Sequence, residues 1–192
     1  MSRRLKILVA EDDPVIRMGL KSYLANLGHD AFLATNGREA LNLARSTALD
    51  LALLDIQMPM TDGLEAARTI ARKYSMPIII ITAYSEKDLI EKATQLPIQG
   101  YLIKPVNERD LAAAIPIALA RYDEMQALTR EKAELEESLE TRKLVDRAKG
   151  KLMPSGLSEE EAYLTIQRKA REGRMTMKQA AEAIMAQPSP GE

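Results

Sequence analysis

Five side chains that could do chemistry together each follow a short apolar segment of the sequence: Glu11, Asp12, Asp55, Thr82 and Lys104. Carboxylates that lie close together repel each other unless a cation lies among them, and carboxylate oxygens in a site open to water suit Mg²⁺. Lys104 adds a fixed positive charge, and the Thr82 hydroxyl can donate a hydrogen bond to an anionic oxygen. With a metal ion and a lysine nearby, one carboxylate can act as a nucleophile toward a phosphoryl group.

The apolar segments before these residues predict β-strands. Each is four to six residues long and is bounded by residues that break regular structure, which is typical of buried strands. With one further segment, the predicted strands are Leu5–Ala10, Asp30–Ala34, Leu51–Leu54, Pro77–Ile81 and Gly100–Ile103. The stretches between and after them predict helices over Pro14–Leu27, Arg38–Ser46, Leu64–Lys73, Glu86–Thr94 and Glu108–Leu119.

The first predicted helix has signals at both ends. Asp13 is a suitable N-cap, Pro14 suits the first turn, and Gly28 is a suitable stop. The apolar residues of this helix form an approximately helical stripe: Val15, Met18, Leu20, Leu24 and Leu27. The only histidine, His29, is predicted to be a solvated turn residue because it lies between Gly28 and Asp30.

Strands that alternate with helices predict an α/β fold with a parallel sheet covered on both faces. Crossover connections between parallel strands are right-handed, so the carboxyl ends of all the strands lie at one edge of the sheet. Open α/β sheets place their functional sites at that edge. The acidic residues, Thr82 and Lys104 are therefore expected to lie close together.

Residues 1–118 resemble the receiver domain of bacterial two-component response regulators. The resemblance rests on five short motifs: Val9–Asp13, Asp55–Pro59, Asp62-Gly63, Thr82-Ala83 and Tyr101–Pro105. It implies a flavodoxin-like, doubly wound fold with a five-stranded parallel sheet. It also implies that Asp55 takes a phosphoryl group from the phosphohistidine of a partner histidine kinase.

The same resemblance implies a set of Mg²⁺ ligands. Asp12 would coordinate the metal directly, and Glu11 would act through water. Asp55 and the backbone carbonyl of Gln57 would complete the ligands that the protein supplies.

It further implies roles around the phosphoryl group. Thr82 and Lys104 would contact the phosphoryl oxygens. Tyr101 occupies the position of an aromatic switch residue, whose ring turns inward as Thr82 moves.

Residues 107–147 predict one long helix. Apolar residues recur along it at helical spacing: Leu111, Ile115, Leu119, Met125, Leu128, Leu135 and Leu139. Pro116 lies inside this helix and is expected to kink it, because its ring removes a backbone donor.

The middle of this helix has a short and imperfect heptad pattern. With Met125 at position a, leucines fall at later a and d positions, but Lys132 occupies one a and Arg142 one d. Residues 119–140 are expected to form a coiled-coil linker, with a homodimer contact over 119–147. The alternative is an amphipathic linker that packs on its own chain.

Residues 141–186 predict a small bundle of three helices, and 187–192 a flexible tail. The predicted helices are Thr141–Met153, Ser158–Glu172 and Thr176–Ala186. Ser158 and Glu161 have the spacing of a capping box. This part has a net charge of +4, whereas 1–118 is neutral and the linker has −4. A basic module often binds a polyanion, although solvated helix faces can have the same charge.

This basic part resembles the ANTAR domain, an RNA-binding module of transcription antiterminators. The resemblance rests on Arg147–Met153, Gly156, Ser158–Tyr163, Arg168, Ala170 and Ala181–Ile184. It implies binding to short RNA hairpins, whose unstacked loop bases can be read. The residues expected at the RNA are Arg147, Lys149, Gly150, Lys151, Tyr163, Arg168 and Lys169. Tyr163 could instead pack inside the bundle, and Gln167 stands where the family often has arginine.

Composition excludes several classes of protein. The 192 residues include no cysteine and one histidine, which argues against disulfides, cysteine nucleophiles and zinc enzymes. The longest apolar run, Pro77–Ala83, is far shorter than the roughly 20 residues of a membrane-spanning helix, and the N-terminus lacks signal-peptide features. A soluble cytoplasmic protein with no membrane partner is expected.

These features together predict a phosphorylation-controlled, dimeric, RNA-binding antiterminator that is a regulator rather than an enzyme. Two alternatives stay open for the C-terminal part. A DNA-binding domain would need a basic recognition helix, but Thr176–Ala186 has Lys178 as its only basic residue, opposed by Glu182. A protein-interaction adaptor would bind no nucleic acid at any salt concentration.

Overall fold

The computed structural model describes residues 3–58, 63–83 and 96–187. Its first elements are β1 (Lys6–Ala10), α1 (Pro14–Asn26), β2 (Asp30–Ala34), α2 (Gly37–Ser46), β3 (Leu51–Asp55), α3 (Gly63–Lys73), β4 (Ile78–Thr82) and β5 (Gly100–Ile103). They are followed by α4 (Glu108–Leu152), a short 3₁₀ helix (Met153–Ser155), α5 (Glu159–Glu172) and α6 (Met177–Met185). The predicted helix Glu86–Thr94 and the loop residues Pro59 and Asp62 lie outside the described residues.

The five strands form one sheet in the order β2-β1-β3-β4-β5, and all neighbouring strands are parallel. The predicted α/β fold with a five-stranded parallel sheet is thus confirmed. Ala10 in β1 pairs with Leu54 in β3, and Asp55 in β3 pairs with Ile81 in β4. This register places the carboxyl ends of the central strands at one level, so that Glu11 lies level with Asp55.

Each face of the sheet is covered by its own hydrophobic core. Alternate residues of the central strands face opposite sides. Leu8, Leu54 and Ile80 pack with residues of α2 and α3 on one face. Val9 and Ile79 pack with residues of α1 and the first turns of α4 on the other face. Fully burying one such side chain contributes about 1.5–3 kcal/mol, so these two layers hold the strand ends in place.

Helix α1 begins as predicted, but two residues of its predicted apolar stripe do not pack on the core. The Asp13 side chain accepts hydrogen bonds from the backbone N–H groups of Val15 at 2.7 Å and Ile16 at 3.1 Å, which makes it the N-cap. Val15 is 79% exposed and Met18 is 53% exposed. The side that packs on the sheet instead contains Ile16, Leu20, Tyr23, Leu24 and Leu27. Val15 and Met18 fall on the opposite side of the helix, because each residue advances the helix by about 100°.

His29 lies in the connection between α1 and β2, as predicted, but it is less exposed than a fully solvated residue. The chain returns from α1 to β2 beside the start of β1, and His29 is half-buried there. Its Nδ1 accepts a hydrogen bond from the backbone N–H of Leu5 at 3.4 Å. The ring therefore accepts a long hydrogen bond just before the first strand and keeps part of its surface exposed.

The long helix is continuous over more residues than the sequence pattern predicted. Helix α4 runs for 45 residues and includes both the predicted linker and the first predicted helix of the basic part. Pro116 lies inside it, and the helix continues on both sides of this residue. The expected kink at Pro116 stays a prediction.

The chain divides into two compact units, Met1–Gln126 and Ala127–Glu192. The boundary between them falls inside the predicted linker, residues 119–140. In the second unit, the end of α4 packs with α5 and α6 around a small core of Val145, Ala148, Ile166, Ala170, Ala180, Ala181 and Ile184. Along the part of the chain that is described, no helix is long and apolar enough to cross a membrane.

The two short helices of this unit begin with complete capping boxes. The Ser158 hydroxyl accepts from the N–H of Glu161 at 3.2 Å, and the Glu161 carboxylate accepts from the N–H of Ser158 at 2.8 Å. Thr176 and Gln179 make the equivalent pair at the start of α6. The predicted capping box at Ser158 is therefore confirmed, and both helix starts are fixed by local hydrogen bonds.

We expect Ser158→Ala to cost about 1 kcal/mol of local helix stability, since it leaves the N–H of Glu161 without its acceptor. Amide hydrogens of residues 159–172 that exchange by local opening should then exchange about fivefold faster in hydrogen–deuterium exchange mass spectrometry. Ser155→Ala is the matched control, because Ser155 is exposed and makes no side-chain hydrogen bond within the described residues. Equal exchange in the two variants would contradict the capping role.

Candidate functional site

The acidic residues and Lys104 meet at the carboxyl edge of the sheet, as their positions after the strands predicted. Lys104 directly follows the edge strand β5, and its backbone N–H donates to the carbonyl of Thr82 at 2.9 Å. This bond continues the pairing of β4 with β5, in which Thr82 lies opposite Ile103. The lysine side chain therefore starts from a fixed point at the edge and extends toward the central strands.

Lys104 forms an ion pair with two buried carboxylates. Its Nζ lies 2.7 Å from Oδ2 of Asp55 and 3.0 Å from Oε1 of Glu11. The second Glu11 oxygen, Oε2, lies 2.9 Å from the same nitrogen. Glu11 and Asp55 are buried, whereas 21% of the lysine side chain is exposed. One ammonium group thus bridges two carboxylates from neighbouring strands.

The charges of these groups respond to burial and to each other. Burial raises the pKa of Glu11, the negative charge of Asp55 raises it further, and the bond to Lys104 opposes both effects. Burial alone would lower the pKa of Lys104, but its bonds to Asp55 and Glu11 outweigh that effect and raise it. The lysine therefore stays charged and is the main compensation for the two buried carboxylates.

A third carboxylate makes the cluster suitable for a divalent cation. Glu11, Asp12 and Asp55 each offer one oxygen, and these oxygens lie within 4.8 Å of one another. Asp12 is exposed, so one side of the cluster is open to water. Both oxygens of the buried Glu11 carboxylate face Lys104 Nζ, at 3.0 Å for Oε1 and 2.9 Å for Oε2. Three carboxylates with one lysine leave excess negative charge, and such a set of oxygen donors fits Mg²⁺.

Gln57 holds Asp55 from the other side. The backbone N–H of Gln57 donates to Oδ1 of Asp55 at 3.1 Å, while Lys104 holds Oδ2. Both oxygens of this carboxylate are therefore fixed in direction. The backbone carbonyl of Gln57 as a metal ligand stays a prediction.

The two predicted switch residues differ in burial. Thr82 is buried at the end of β4, and its hydroxyl donates to the carbonyl of Ala83 at 3.3 Å. Tyr101 in β5 is 38% exposed, and the burial of the rest of the ring raises the pKa of its hydroxyl. The inward turn of Tyr101 stays a prediction.

Arg17 is a residue of this region that the sequence analysis missed. It lies in the second turn of α1, and its Nη1 donates to the backbone carbonyls of Glu11 at 2.8 Å and Asp12 at 3.0 Å. The only signal in the sequence is its position four residues after the Asp13 cap, which places it one turn into the helix that follows the acidic residues.

In the second unit, two of the predicted RNA-contacting lysines are engaged in contacts within the chain. Lys149 lies 2.8 Å from both Asp146 and Glu159, and only 16% of its side chain is exposed. Hydrogen bonds to these two carboxylates raise its pKa. Lys151 donates to the carbonyl of Met185 at 2.8 Å and to that of Gln187, at the end of α6. These lysines join α4 to its two neighbouring helices.

The other predicted RNA-contacting residues differ in exposure. Arg147, Gly150, Tyr163 and Arg168 are exposed, and Lys169 is half-buried. Within the described residues, Arg147 and Arg168 make no ion pair. The structure therefore separates free cations from cations that hold the bundle together, and Tyr163 is available at the surface.

Tyr163 and Lys149 share a surface cavity of about 650 Å³ in this unit. Its other lining residues come from α4 and from the start of α6, and they include Arg142, Asp146 and Lys178. The cavity thus has charges of both signs. At Gly150 an added Cβ would meet no atom within 4 Å, so no contact inside the protein requires glycine there.

Comparison with protein families agrees with this geometry. Residues 7–116 match the response regulator receiver domain, and residues 133–185 match the ANTAR domain. The transcriptional regulatory protein PdtaR of Mycobacterium tuberculosis is 43% identical over 182 residues, which cover 94% of this chain and 89% of that protein. The probable transcriptional regulator ycf27 of Cyanidium caldarium is 35% identical over 127 residues, 65% of this chain and 50% of that protein.

Solved structures are similar to the first unit. The signal receiver domain of a modulated diguanylate cyclase from Desulfovibrio desulfuricans has a TM-score of 0.60 at 31% identity, covering 63% of this chain and 98% of that one. A CheY-like receiver domain protein from Methanospirillum hungatei has a TM-score of 0.59 at 27% identity, covering 64% and 99%. With its acidic edge, its bridging lysine and the two matching domains, the chain belongs to the response regulators that carry a receiver domain and an ANTAR domain.

Proposed function

We propose that the chain is a phosphorylation-controlled regulator that binds RNA hairpins and acts as a transcription antiterminator in the cytoplasm. The observation that carries the proposal is the bridge from Lys104 to Asp55 and Glu11 in a chain that also has an ANTAR domain. The bridge holds Asp55 beside Lys104, so that phosphorylation of Asp55 would change the contacts of the lysine. The second domain has exposed cations that can bind a polyanion.

Asp55 accepts the phosphoryl group in this proposal. One of its oxygens attacks the phosphorus of a phosphohistidine on a partner histidine kinase. A P–O bond forms while the P–N bond breaks, and the electron pair of that bond stays on the imidazole nitrogen. Gln57 and Lys104 hold the two oxygens of Asp55 before the reaction, so little reorganisation is needed.

Lys104 and Thr82 stabilise the charge that the reaction brings to the site. Lys104 Nζ is already 2.7 Å from Asp55 and can move its hydrogen bond to a phosphoryl oxygen. The Thr82 hydroxyl can turn from the carbonyl of Ala83 to the phosphoryl group. This turn leaves space beside the end of β4, into which the ring of Tyr101 moves in the proposed switch.

The metal ligands in this proposal are Glu11, Asp12, Asp55 and the backbone carbonyl of Gln57. A bound Mg²⁺ supplies positive charge that neutralises the phosphoryl oxygens. Asp12 would coordinate the ion directly, and Glu11 would act through a water molecule. The support is the cluster of three carboxylates, whose oxygens lie within 4.8 Å of one another and which is open to water at Asp12.

RNA is the favoured polyanion for the second unit. Arg147 and Arg168 are exposed and free of ion pairs within the described residues, and the Tyr163 ring is available to stack on an unpaired base. A DNA-binding recognition helix is less favoured, because Lys178, the only basic residue of α6, is tied to Glu140 at 3.0 Å. Hairpin loops expose unstacked bases that such a surface can contact.

The exposed part of α4 supports the proposed homodimer. Leu128, Leu135 and Leu139 are 59%, 59% and 57% exposed, although leucine side chains favour burial. Pairing with the same helix of a second copy would cover them. In the proposal, phosphorylation repacks the start of α4 and changes how this helix pairs or how it shields the basic bundle.

We expect Mg²⁺ to raise the thermal midpoint of the wild-type chain relative to EDTA, because only the folded cluster binds the ion. At a concentration one hundred times the dissociation constant, the stabilisation is about 2.7 kcal/mol. Asp12→Asn should remove most of this shift in differential scanning calorimetry. Asp13→Asn is the control, since asparagine also caps helices well and Asp13 lies outside the cluster. An equal shift in both variants would argue against the proposed ligands.

Incubation with acetyl phosphate and Mg²⁺ should add one phosphoryl group to the wild-type chain, as measured by intact-protein mass spectrometry. Asp55→Asn should gain none, because the amide is a poor nucleophile. Asp123→Asn, which changes an exposed aspartate of α4, should be phosphorylated like the wild type. A phosphorylated Asp55→Asn protein would show that another residue is the acceptor.

Arg147→Gln and Arg168→Gln should each weaken binding of a labelled RNA hairpin about tenfold in fluorescence anisotropy, and a phosphate contact would also lower the salt dependence. Arg130→Gln is the matched control, because this exposed arginine of α4 lies outside the residues expected at the RNA. The proposal fails if the control weakens binding equally or if duplex DNA binds more tightly than the hairpin.

Leu128→Glu and Leu135→Glu should each shift the wild-type dimer toward monomer in sedimentation equilibrium, because a charge on the seam opposes pairing. Leu164→Glu is the control, since this leucine of α5 is 53% exposed but lies outside the seam. A wild-type chain that stays monomeric with and without acetyl phosphate would exclude the proposed dimer.

A further inference from the structure

The three carboxylates of the acidic cluster are not held equally. Glu11 and Asp55 are buried and share Lys104, and Asp55 also accepts from Gln57. The Asp12 side chain is exposed and makes no hydrogen bond or ion pair within the described residues. The direction of the Asp12 carboxylate therefore depends on the main chain that carries it.

Arg17 holds the main chain on both sides of Asp12. One nitrogen, Nη1, donates to the carbonyl of Glu11 at 2.8 Å and to the carbonyl of Asp12 at 3.0 Å. Consecutive carbonyls of an extended chain point in opposite directions. A single donor that reaches both carbonyls therefore keeps two successive peptide planes in a turned arrangement around the Cα atom of Asp12.

Three further contacts hold this short loop. The N–H of Asp13 donates to Oε1 of Glu11 at 3.4 Å, a long bond that spans Asp12. The N–H of Glu11 donates to the carbonyl of Ala34 at 3.2 Å, which fixes the loop to β2. The Asp13 side chain caps α1 and fixes the other end. Arg17 itself starts from the second turn of that helix, where its N–H donates to the carbonyl of Asp13 at 2.9 Å. Its guanidinium group thus links the rigid helix to the middle of the loop.

We infer that Arg17 is a positioning residue of the acidic cluster, which orients the Asp12 carboxylate toward a divalent cation by holding the carbonyls of Glu11 and Asp12. The inference rests on the proposed Mg²⁺ site. Residues that orient metal ligands change metal affinity by about 10–100-fold when they are replaced.

The sign of the effect separates positioning from simple charge. A guanidinium group near a cation site repels the cation, so an effect of charge alone predicts that Arg17→Gln strengthens Mg²⁺ binding. Loss of positioning predicts the opposite, because the Asp12 carboxylate then samples many directions. The two explanations cannot give the same result.

The test is isothermal titration calorimetry of the full chain with Mg²⁺ alone. We expect Arg17→Gln to weaken binding about tenfold. Lys21→Gln, which removes an exposed charge one turn further along α1, should stay within about twofold of the wild type. Thermal midpoints in EDTA accompany each titration, so that weaker metal binding is compared between folded proteins.

Arg17→Lys gives a second measurement that does not depend on the folding of the glutamine variant. It keeps the charge and replaces the planar guanidinium, and we expect it to weaken binding about threefold or more. Wild-type affinity or tighter binding in both Arg17 variants would overturn the inference and leave the metal site intact. A wild-type chain that binds no Mg²⁺ would overturn the metal site and the inference together.

Discussion

Two buried carboxylates at neighbouring strand ends share one ammonium group, and the rest of the first unit is arranged around this interaction. The parallel register places Glu11 level with Asp55, where two negative charges would repel each other in a buried setting. Lys104 compensates for both only because its main chain is fixed to Thr82 at the end of β4. A change in the charge of Asp55 therefore acts directly on the lysine with which it pairs.

The sequence was a good guide to this site because its residues are tied to strand ends. A short apolar run that ends in a charged residue marks a strand end, and parallel topology brings the strand ends together. Glu11, Asp55, Thr82 and Lys104 could be grouped in this way. Arg17 could not be assigned to this site from the sequence. It contacts main-chain carbonyls, which every residue has, so the residue types at positions 11 and 12 do not indicate these contacts.

Where the sequence was a poor guide, the missing information was tertiary. Val15 and Met18 fit an apolar helical spacing roughly, but only the position of the sheet shows that Ile16 and Tyr23 are on the inner side. The sequence also did not show that α4 joins the predicted linker to the first predicted helix of the basic part. The helical pattern is the same on both sides of that predicted boundary. The basic residues of the second unit show the same limitation. Their positions suggested one set of RNA contacts, whereas their ion pairs divide them into structural and free cations.

The basic residues of the second unit fall into cations that form ion pairs and cations that do not. Lys149 on α4 pairs with Glu159 on α5, and Lys178 on α6 pairs with Glu140 on α4, in a bundle whose apolar core is small. Arginines with no ion pair within the described residues are then left for a partner. The chain thus has an acidic cluster that shares one lysine in its first unit and, within the described residues, unpaired arginines in its second.

Control of RNA binding by phosphorylation is tested most directly by the affinity of the full chain for a labelled RNA hairpin. The affinity is measured with Mg²⁺ in the presence and absence of acetyl phosphate. We expect tighter, loop-dependent binding after phosphorylation of the wild type and no change for Asp55→Asn. Equal affinity of the wild type in both states, or the same increase in Asp55→Asn, would contradict it.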